Sequence, residues 1–249
     1  MTRKARPTVA VIAGSGVAEH FELAEEEVLS TKFGKATVSL ARDRSFYILQ
    51  RHGPDHGIPP HKIDYRANIA GLKSAGVRSV IATSTVGSMN KRFRIGDVGL
   101  AGQFIDFTRG RQATFFDDTV VHTDMTNPYS GTLNRLVMHA AKSLAMKVYP
   151  DLVYVCADGP RYETAAEIRM FRLLGGDVVG MTGVPEVTLA REMGVEYASL
   201  LVATNWAAGI QREVSHDEVI RVMKRSGEAV RRLAEATVNL LVSREEAGS

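Results

Sequence analysis

The chain has 249 residues, of which 45% are hydrophobic and 24% charged, and its formal net charge is +3. This is the ordinary composition of a soluble protein, and it is long enough for a full core. The small basic excess is dispersed, so the sequence does not indicate a nucleic-acid partner, although a small anion such as phosphate would be attracted.

The chain contains one cysteine, Cys156, inside an apolar run. One cysteine cannot form an internal disulfide, and metal sites need clusters of ligands, so we expect a buried thiol and no metal. No apolar leader precedes the first predicted strand, and no run of 18 apolar residues occurs. We therefore expect a cytoplasmic protein with no membrane segment.

Hydrophobic periodicity predicts strands and helices that alternate over most of the chain, as one α/β domain of residues 1–249. Strands are predicted at residues 9–13, 37–41, 45–50, 79–83, 95–100, 104–107, 152–157, 177–181 and 197–203. Helices are predicted at residues 65–75, 133–144, 187–193 and 219–242, and another begins after residue 164. Residues 37–50 should form a hairpin, and Ser215 with Glu218 has the spacing of a capping box.

The first predicted strand runs into Gly14-Ser15-Gly16. The fuller spacing of a dinucleotide site is missing, since residues 17–19 are not glycine. A backbone nest that holds an anion with the Ser15 hydroxyl fits this pattern, and so does a simple β-turn. The pattern does not choose between them.

Residues 51–61 place Arg51 and His52 among glycines and prolines, directly after a predicted strand. Arg51 beside a backbone nest suits an anion site, and a rigid, solvated loop is the alternative. Ser84 and Thr85 end another predicted strand, where their small side chains permit close approach of a ligand.

Tyr162 and Glu163 lie where a predicted strand ends and a helix begins. In α/β sheets, ligands bind outside the carboxyl ends of strands. A flat heterocycle could stack on Tyr162 and bond Glu163 through a polar edge. Taken alone, however, the stretch favours a plain helix entry, with Glu163 near the positive end of the helix dipole.

Together these strand ends resemble the trimeric purine nucleoside phosphorylase and methylthioadenosine phosphorylase family, nearly from end to end. The resemblance is carried by seven ordered blocks, at residues 14–16, 51–53, 87–88, 103–106, 159–162, 180–186 and 203–205. It implies a mixed sheet curled towards a barrel with flanking helices, and a homotrimer, possibly paired into a hexamer. The polar segment at residues 109–129, around His122, resembles the part that completes a neighbour's site.

The resemblance also implies the reaction. Inorganic phosphate displaces a purine from a nucleoside, giving the free base and ribose 1-phosphate, as in purine salvage, with no cofactor. The implied phosphate-binding residues are Ser15, Arg51, His52, Ser84, Thr85 and Thr182. The implied nucleoside-binding residues are Tyr162, Glu163, Met181, Asn205, His216 and His122. Arg51, His52 and Asn205 are the implied catalytic residues.

Three positions bear on the substrate. Asn205 stands where adenosine-type members carry aspartate, and Tyr162-Glu163-Thr164 resembles a segment of 6-oxopurine members. His216 matches a histidine that meets a 5′-hydroxyl, although without the family it would be a surface residue beside a helix cap. We therefore expect a phosphorylase of inosine and guanosine. Methylthioinosine or methylthioadenosine is the alternative substrate, because the overall blocks are nearer the methylthio branch. A non-catalytic nucleoside-binding protein and a hydrolase are the other candidates.

Overall fold

The computed structural model describes residues 6–247. Its strands are Val9–Ala13 (β1), Leu23–Thr31 (β2), Gly34–Ala41 (β3), Tyr47–Gln50 (β4), Ser79–Ser88 (β5), Val98–Asp106 (β6), Val148–Cys156 (β7), Val178–Gly180 (β8) and Glu196–Trp206 (β9). Its α-helices are Tyr65–Ser74 (α1), Gly131–Ser143 (α2), Ala165–Leu173 (α3), Gly183–Glu192 (α4) and His216–Ala247 (α5). Within these residues, no helix has both the length and the apolar character that crossing a membrane requires.

The nine strands form one sheet in the order β2-β3-β4-β1-β5-β8-β7-β6-β9, and β5 also pairs with β9. That extra pairing closes β5, β8, β7, β6 and β9 into a barrel. The sheet is mixed, since β1, β4, β5 and β9 run parallel while β8 runs antiparallel to β5. The expected α/β fold, with a mixed sheet curled towards a barrel, is confirmed.

Helices cover both faces of the sheet, as the side-chain pattern of β1 shows. All five residues of β1 are buried, which is typical of a central parallel strand. Ala10 and Ile12 pack in one hydrophobic cluster with residues of α1 and α4. Val9 and Val11 pack in another with residues of α2 and α5. Successive side chains of a strand point to opposite faces, so a continuous apolar run serves both layers.

The prediction for residues 95–107 was wrong in one respect. Two strands were expected at 95–100 and 104–107, but the structure has the single strand β6. Its pairing with β7 shifts register around Ala101. A Cβ at Gly99 would lie 2.5 Å from Leu152 Cδ1. The glycine therefore permits close approach of β7 rather than ending the strand.

Strand β2 was missed because Glu25, Glu26 and Glu27 fall in its middle and the segment shows no clear alternation. It is the edge strand, paired with β3 alone in the described sheet. Charged side chains are common on edge strands, where they discourage pairing with other chains. The hairpin predicted within residues 37–50 is confirmed, since β3 pairs with β4 in antiparallel register.

Candidate active site

A cavity of about 370 Å³ opens where the parallel strands β1, β4, β5 and β9 end. The sequence-predicted residues in its wall are Ser15, Arg51, His52, Ser84, Thr85, Tyr162, Glu163, Met181, Thr182, Asn205 and His216. They come from seven separate parts of the chain. His122 is exposed, and the wall described for residues 6–247 does not include it.

Arg51 follows β4 and is buried together with Glu186 of α4. Its Nε and Nη2 each donate to a Glu186 carboxylate oxygen at 2.7 Å, and its Nη1 donates to the Thr83 carbonyl at 2.8 Å. Burial lowers the pKa of Arg51, but the attraction of Glu186 outweighs it, so the net effect raises the pKa. Arg51 is therefore a fixed cation whose charge is already balanced.

A guanidinium has five N–H donors. Three are used in these bonds, which leaves two within the described chain, one on each terminal nitrogen. Glu186 is further held by the Tyr197 hydroxyl, which donates at 2.6 Å. Glu186 and Tyr197 were missed as parts of the site because they lie in segments that look like ordinary core.

Ser15 lies in a turn after β1 in which Val17 N donates to Gly14 O at 3.3 Å. Gly16, at φ 69°, supplies the left-handed residue that such a turn needs. Gly14 N donates to Thr83 Oγ1, so it is not available to an anion. The turn of the second alternative is therefore present, and it places Ser15 in the cavity wall.

Three further hydroxyl side chains line the cavity. Ser84 Oγ is buried without a hydrogen-bond partner among residues 6–247. Thr85 adjoins it in β5. Thr182 opens α4 but makes no side-chain cap bond. With Arg51 and Ser15, these groups give the cavity wall a set of hydrogen-bond donors.

His52 and His56 stand beside these donors. His52 Nδ1 is 2.8 Å from the Ile58 carbonyl, so Nδ1 carries the proton and Nε2 keeps a lone pair. Burial lowers the pKa of His52 to about 4, which leaves the ring neutral. His56 was not among the predicted site residues. Its ring centroid is 4.6 Å from that of His52, and its Nε2 is 3.2 Å from Ser15 Oγ.

The cavity wall also contains an aromatic ring, Tyr162, next in sequence to a carboxylate, Glu163. Tyr162 and Glu163 precede α3, which begins with a capping box between Thr164 and Glu167. Burial raises the pKa of Glu163. Glu163 Oε1 accepts no hydrogen bond from the described residues and is sealed from solvent. An unmatched acceptor of this kind costs free energy until a donor reaches it.

Asn205 is buried near the end of β9 and also lines the cavity. Its Oδ1 accepts from Thr204 Oγ1 at 3.0 Å, and its Nδ2 donates to the Trp206 carbonyl at 2.9 Å. These bonds fix the orientation of the amide. One N–H of Nδ2 is then left within the described chain for a ligand.

His216 is the first residue of α5 and lines the cavity, although it is exposed in the single chain. Its ring stacks on that of His56 with a centroid distance of 6.3 Å. Val219, one turn later, is buried and also lines the wall. This part of the cavity therefore offers both a polar and an apolar contact.

The cavity wall thus combines hydrogen-bond donors that suit an anion with an aromatic and carboxylate pair that suits a flat polar heterocycle. This combination is expected of an enzyme that acts on nucleosides and uses an anion. The model of the phosphorylase superfamily matches residues 8–239. The chain belongs to this family.

Among its relatives, the 6-oxopurine nucleoside phosphorylase of Pyrococcus furiosus is 43% identical, over 97% of this chain and 96% of that protein. A probable S-methyl-5′-thioinosine phosphorylase of Methanopyrus kandleri is 44% identical, over 87% and 86%. The structure of methylthioadenosine phosphorylase from Schistosoma mansoni in complex with adenine matches with a TM-score of 0.89 and 30% identity, over 95% and 92%.

Proposed function

We propose that this protein catalyses the phosphorolysis of 6-oxopurine nucleosides, inosine and guanosine, to the free purine and ribose 1-phosphate. The observation that carries the proposal is the sealed, unmatched Glu163 Oε1 beside Tyr162. Hypoxanthine and guanine carry a hydrogen on ring nitrogen N1, which can donate to a carboxylate, whereas adenine has a lone pair there. The name of the Pyrococcus furiosus relative supports the same substrate class.

The hydroxyl-lined end is the proposed phosphate site. Because Glu186 balances the charge of Arg51, phosphate would be held mainly through hydrogen bonds from Arg51, Ser15, Ser84, Thr85 and Thr182. The neutral His52 presents a lone pair at Nε2, which can accept from the P–OH of monohydrogen phosphate. Such a site favours an oriented phosphate rather than any anion.

The proposed reaction breaks the bond between the anomeric carbon and the purine while a phosphate oxygen bonds the same carbon. The sugar becomes positive in the transition state, and the departing base becomes negative. Bound phosphate opposes the first charge, and the free N–H of Asn205 donates to the imidazole side of the base and stabilises the second. Met181 would lie under the ribose. The reaction as proposed uses phosphate as a substrate and needs no cofactor.

The test is to mix the protein with inosine, with and without phosphate, and to follow the release of hypoxanthine. We expect release that depends on phosphate, with inosine turned over faster than adenosine. Release without phosphate would identify a hydrolase instead. Binding with no turnover of any of these nucleosides would identify a nucleoside-binding protein. Equal rates with adenosine and inosine would contradict the proposed role of Glu163.

Methylthioinosine is the second candidate substrate, because relatives with 42–44% identity carry that name and the buried Val219 offers apolar contact. A 5′-hydroxyl in a closed site needs a polar partner, which His216 can provide, whereas a methylthio group favours apolar contact. We therefore expect a higher kcat/KM for inosine, and a shift towards methylthioinosine in His216→Val. If the wild type prefers methylthioinosine and His216→Val has the same preference, the 5′ pocket binds a methylthio group and the second candidate substrate is correct.

We also propose a homotrimer in which the exposed segment around His122 reaches the site of a neighbouring subunit. The exposed position of His122 supports this, since His122 does not line the cavity described for its own chain.

We further propose a cytoplasmic location, where purine salvage takes place. It is supported by Cys156, a free cysteine, since disulfides are rare in reducing compartments.

A further inference from the structure

Arg111 follows β6 at the start of the long segment that leads to α2. Its side chain is only 5% exposed, although the segment itself lies on the surface. Arg111 is not part of the cavity wall described for residues 6–247. Its guanidinium nevertheless contacts three separate segments, each of which contributes to that wall.

The first contact is with the phosphate side of the cavity. Arg111 Nη1 donates to the Val184 carbonyl at 2.6 Å. Val184 has φ −121° and ψ 133°, so its carbonyl turns away from the ladder of α4 and is free to accept from outside the helix. Met181 and Thr182, just before it, line the cavity.

The second contact is with the base side. Arg111 Nη2 donates to the Asp158 carbonyl at 2.9 Å, and its Nε is 3.3 Å from the carboxylate of the same residue. The Asp158 carboxylate also accepts from Arg109 N. Asp158 leads directly to the turn that carries Tyr162 and Glu163.

The third contact is with the histidine-bearing loop. Arg111 Nη1 is 3.2 Å from the Tyr65 hydroxyl, which donates to the Pro60 carbonyl at 3.1 Å. Pro60 is itself part of the cavity wall and ends the loop that contains His52 and His56. One planar side chain therefore ties three loops of the site together, a task that suits the fixed fork of donors in arginine.

We propose that Arg111 is a positioning residue that sets the spacing between the base-binding and phosphate-binding halves of the site. This inference rests on the proposed phosphorolysis. Each half keeps its own side chains without Arg111, so each ligand should still bind alone. The displacement, however, needs phosphate, sugar and base in line, and a small misplacement of one half lowers the rate strongly.

The test compares Arg111→Met with Arg66→Met. Methionine keeps most of the apolar stem and removes the donors. Arg66 is the matched control, because it anchors the same surface segment through Gln112, Thr114 and Asp117, and none of these residues is in the described cavity wall. A purely structural role for Arg111 would make the two variants behave alike.

Two quantities are measured, namely kcat for inosine and the coupling between the two ligands. Coupling is the factor by which saturating phosphate tightens the binding of 9-deazainosine, an analogue whose glycosidic bond is not cleaved. For Arg111→Met we expect kcat to fall about 10- to 100-fold, each Kd measured alone to change less than about threefold, and the coupling factor to fall towards 1. Arg66→Met should keep both kcat and coupling.

Equal kcat and coupling in Arg111→Met and Arg66→Met would overturn the inference, as would a wild type with no coupling. If Arg111→Met does not fold, Tyr65→Phe tests the inference, since it removes only the hydroxyl that joins Arg111 to Pro60. We expect Tyr65→Phe to lower both kcat and the coupling factor, and Arg111→Lys to give values between those of wild type and Arg111→Met. Unchanged values in Tyr65→Phe would refute the role of Arg111. The wild type is assayed first. If it does not release hypoxanthine in the presence of phosphate, the proposed function is contradicted, and this outcome is distinct from a failure of the role of Arg111.

Discussion

Glu163 is a half-buried residue of the cavity wall, and its Oε1 is buried and unmatched within the described chain. Burial raises its pKa above the ordinary 4.5, so protonation begins at a higher pH than for an exposed glutamate. In the proposed site, the carboxylate would accept from N1–H of inosine, whereas the protonated acid would donate to N1 of adenosine. The proposal therefore predicts that substrate preference depends on pH.

We expect the ratio of kcat/KM for inosine to that for adenosine to fall as the pH is lowered through the raised pKa of Glu163, with a midpoint above pH 4.5. Taking a ratio cancels groups that affect both substrates, such as His52. Initial rates from pH 4.5 to 8 measure it. Glu163→Gln cannot titrate and should give a flat ratio. The same slope in both proteins would show that another group controls the preference.

Asn205 is the second residue proposed to select the base. We expect Asn205→Asp to lose activity on inosine and to gain some on adenosine, because aspartate cannot donate to a departing 6-oxopurine. The loss should be about 1.5–3 kcal/mol of transition-state stabilisation, or roughly ten- to a hundredfold in kcat/KM. Asn127→Asp, on an exposed loop, is the control for the added charge. Unchanged preference in Asn205→Asp would remove the amide from the proposed mechanism.

The polar groups of the cavity wall were indicated mainly by the family resemblance, because the local patterns at Ser15, Arg51 and Glu163 each allowed a plain structural alternative. Neither the resemblance nor the local pattern indicated a role for Glu186 or Arg111. Glu186 lies in the first turn of α4 between the apolar residues Pro185 and Val187, and Arg111 lies among polar loop residues. Their partners are distant in sequence, so only the folded chain shows that one balances Arg51 and the other joins three loops.

Among the elements, α3 matters most for the base end, because its first turn fixes the residues just before it. Thr164 Oγ1 accepts from Glu167 N at 3.1 Å, and Glu167 Oε2 accepts from Thr164 N at 2.7 Å. Glu167 also receives two hydrogen bonds from Arg161. Glu163 is thus held between a capped helix and an anchored arginine.

We expect Thr164→Ala to lower the free energy of unfolding by about 1 kcal/mol, since it removes the side-chain half of the capping box. Glu163 should then be less well oriented, so KM for inosine should rise while KM for phosphate stays the same. Urea unfolding and steady-state kinetics measure these effects. Thr119→Ala, in an exposed loop, is the control. A rise in both KM values would mean that the cap supports the whole site rather than its base end.

Element boundaries were predictable where the local pattern agreed with the fold. Strand β1 is found at its predicted bounds, because a short apolar run between breakers has few alternatives. Strand β5 runs to Ser88, whereas the predicted strand ended at residue 83. The prediction ended early because Ser84 and Thr85 have the side chains of typical loop residues. Their backbone groups are instead paired with β9. Polar side chains that line a cavity therefore interrupt the apolar pattern by which a strand is predicted.

At the scale of the molecule, the segment between β6 and α2 has two parts. The first is fixed by Arg111, by Arg66 and by Glu192, which accepts from Thr114 Oγ1 and Phe115 N. The second carries Val120, which is 86% exposed, and Val121 and His122, which are also exposed. An exposed apolar and imidazole segment on a fixed base is suited to contact a neighbouring subunit.

We expect sedimentation equilibrium to give a mass three times that of the 27.2 kDa chain. Coexpression of His122→Ala with Asn205→Ala then tests whether sites are shared. Each variant alone should be impaired, but mixed trimers contain sites with an intact Asn205 and a neighbour's intact His122, so activity should recover. A fully active monomer, or mixed trimers no better than the separate variants, would contradict a shared site.

The sequence by itself determined the α/β class and the central strands, because apolar runs between breakers are local features, and its seven blocks of resemblance indicated the polar residues of the cavity wall. Only the tertiary structure decided that β5 pairs with β9 and closes the barrel, that Gly14 uses its N–H internally, and that Glu186 balances Arg51. These are contacts between segments far apart in the chain. Their energies depend on distance and burial, which a residue's immediate neighbours in sequence do not fix.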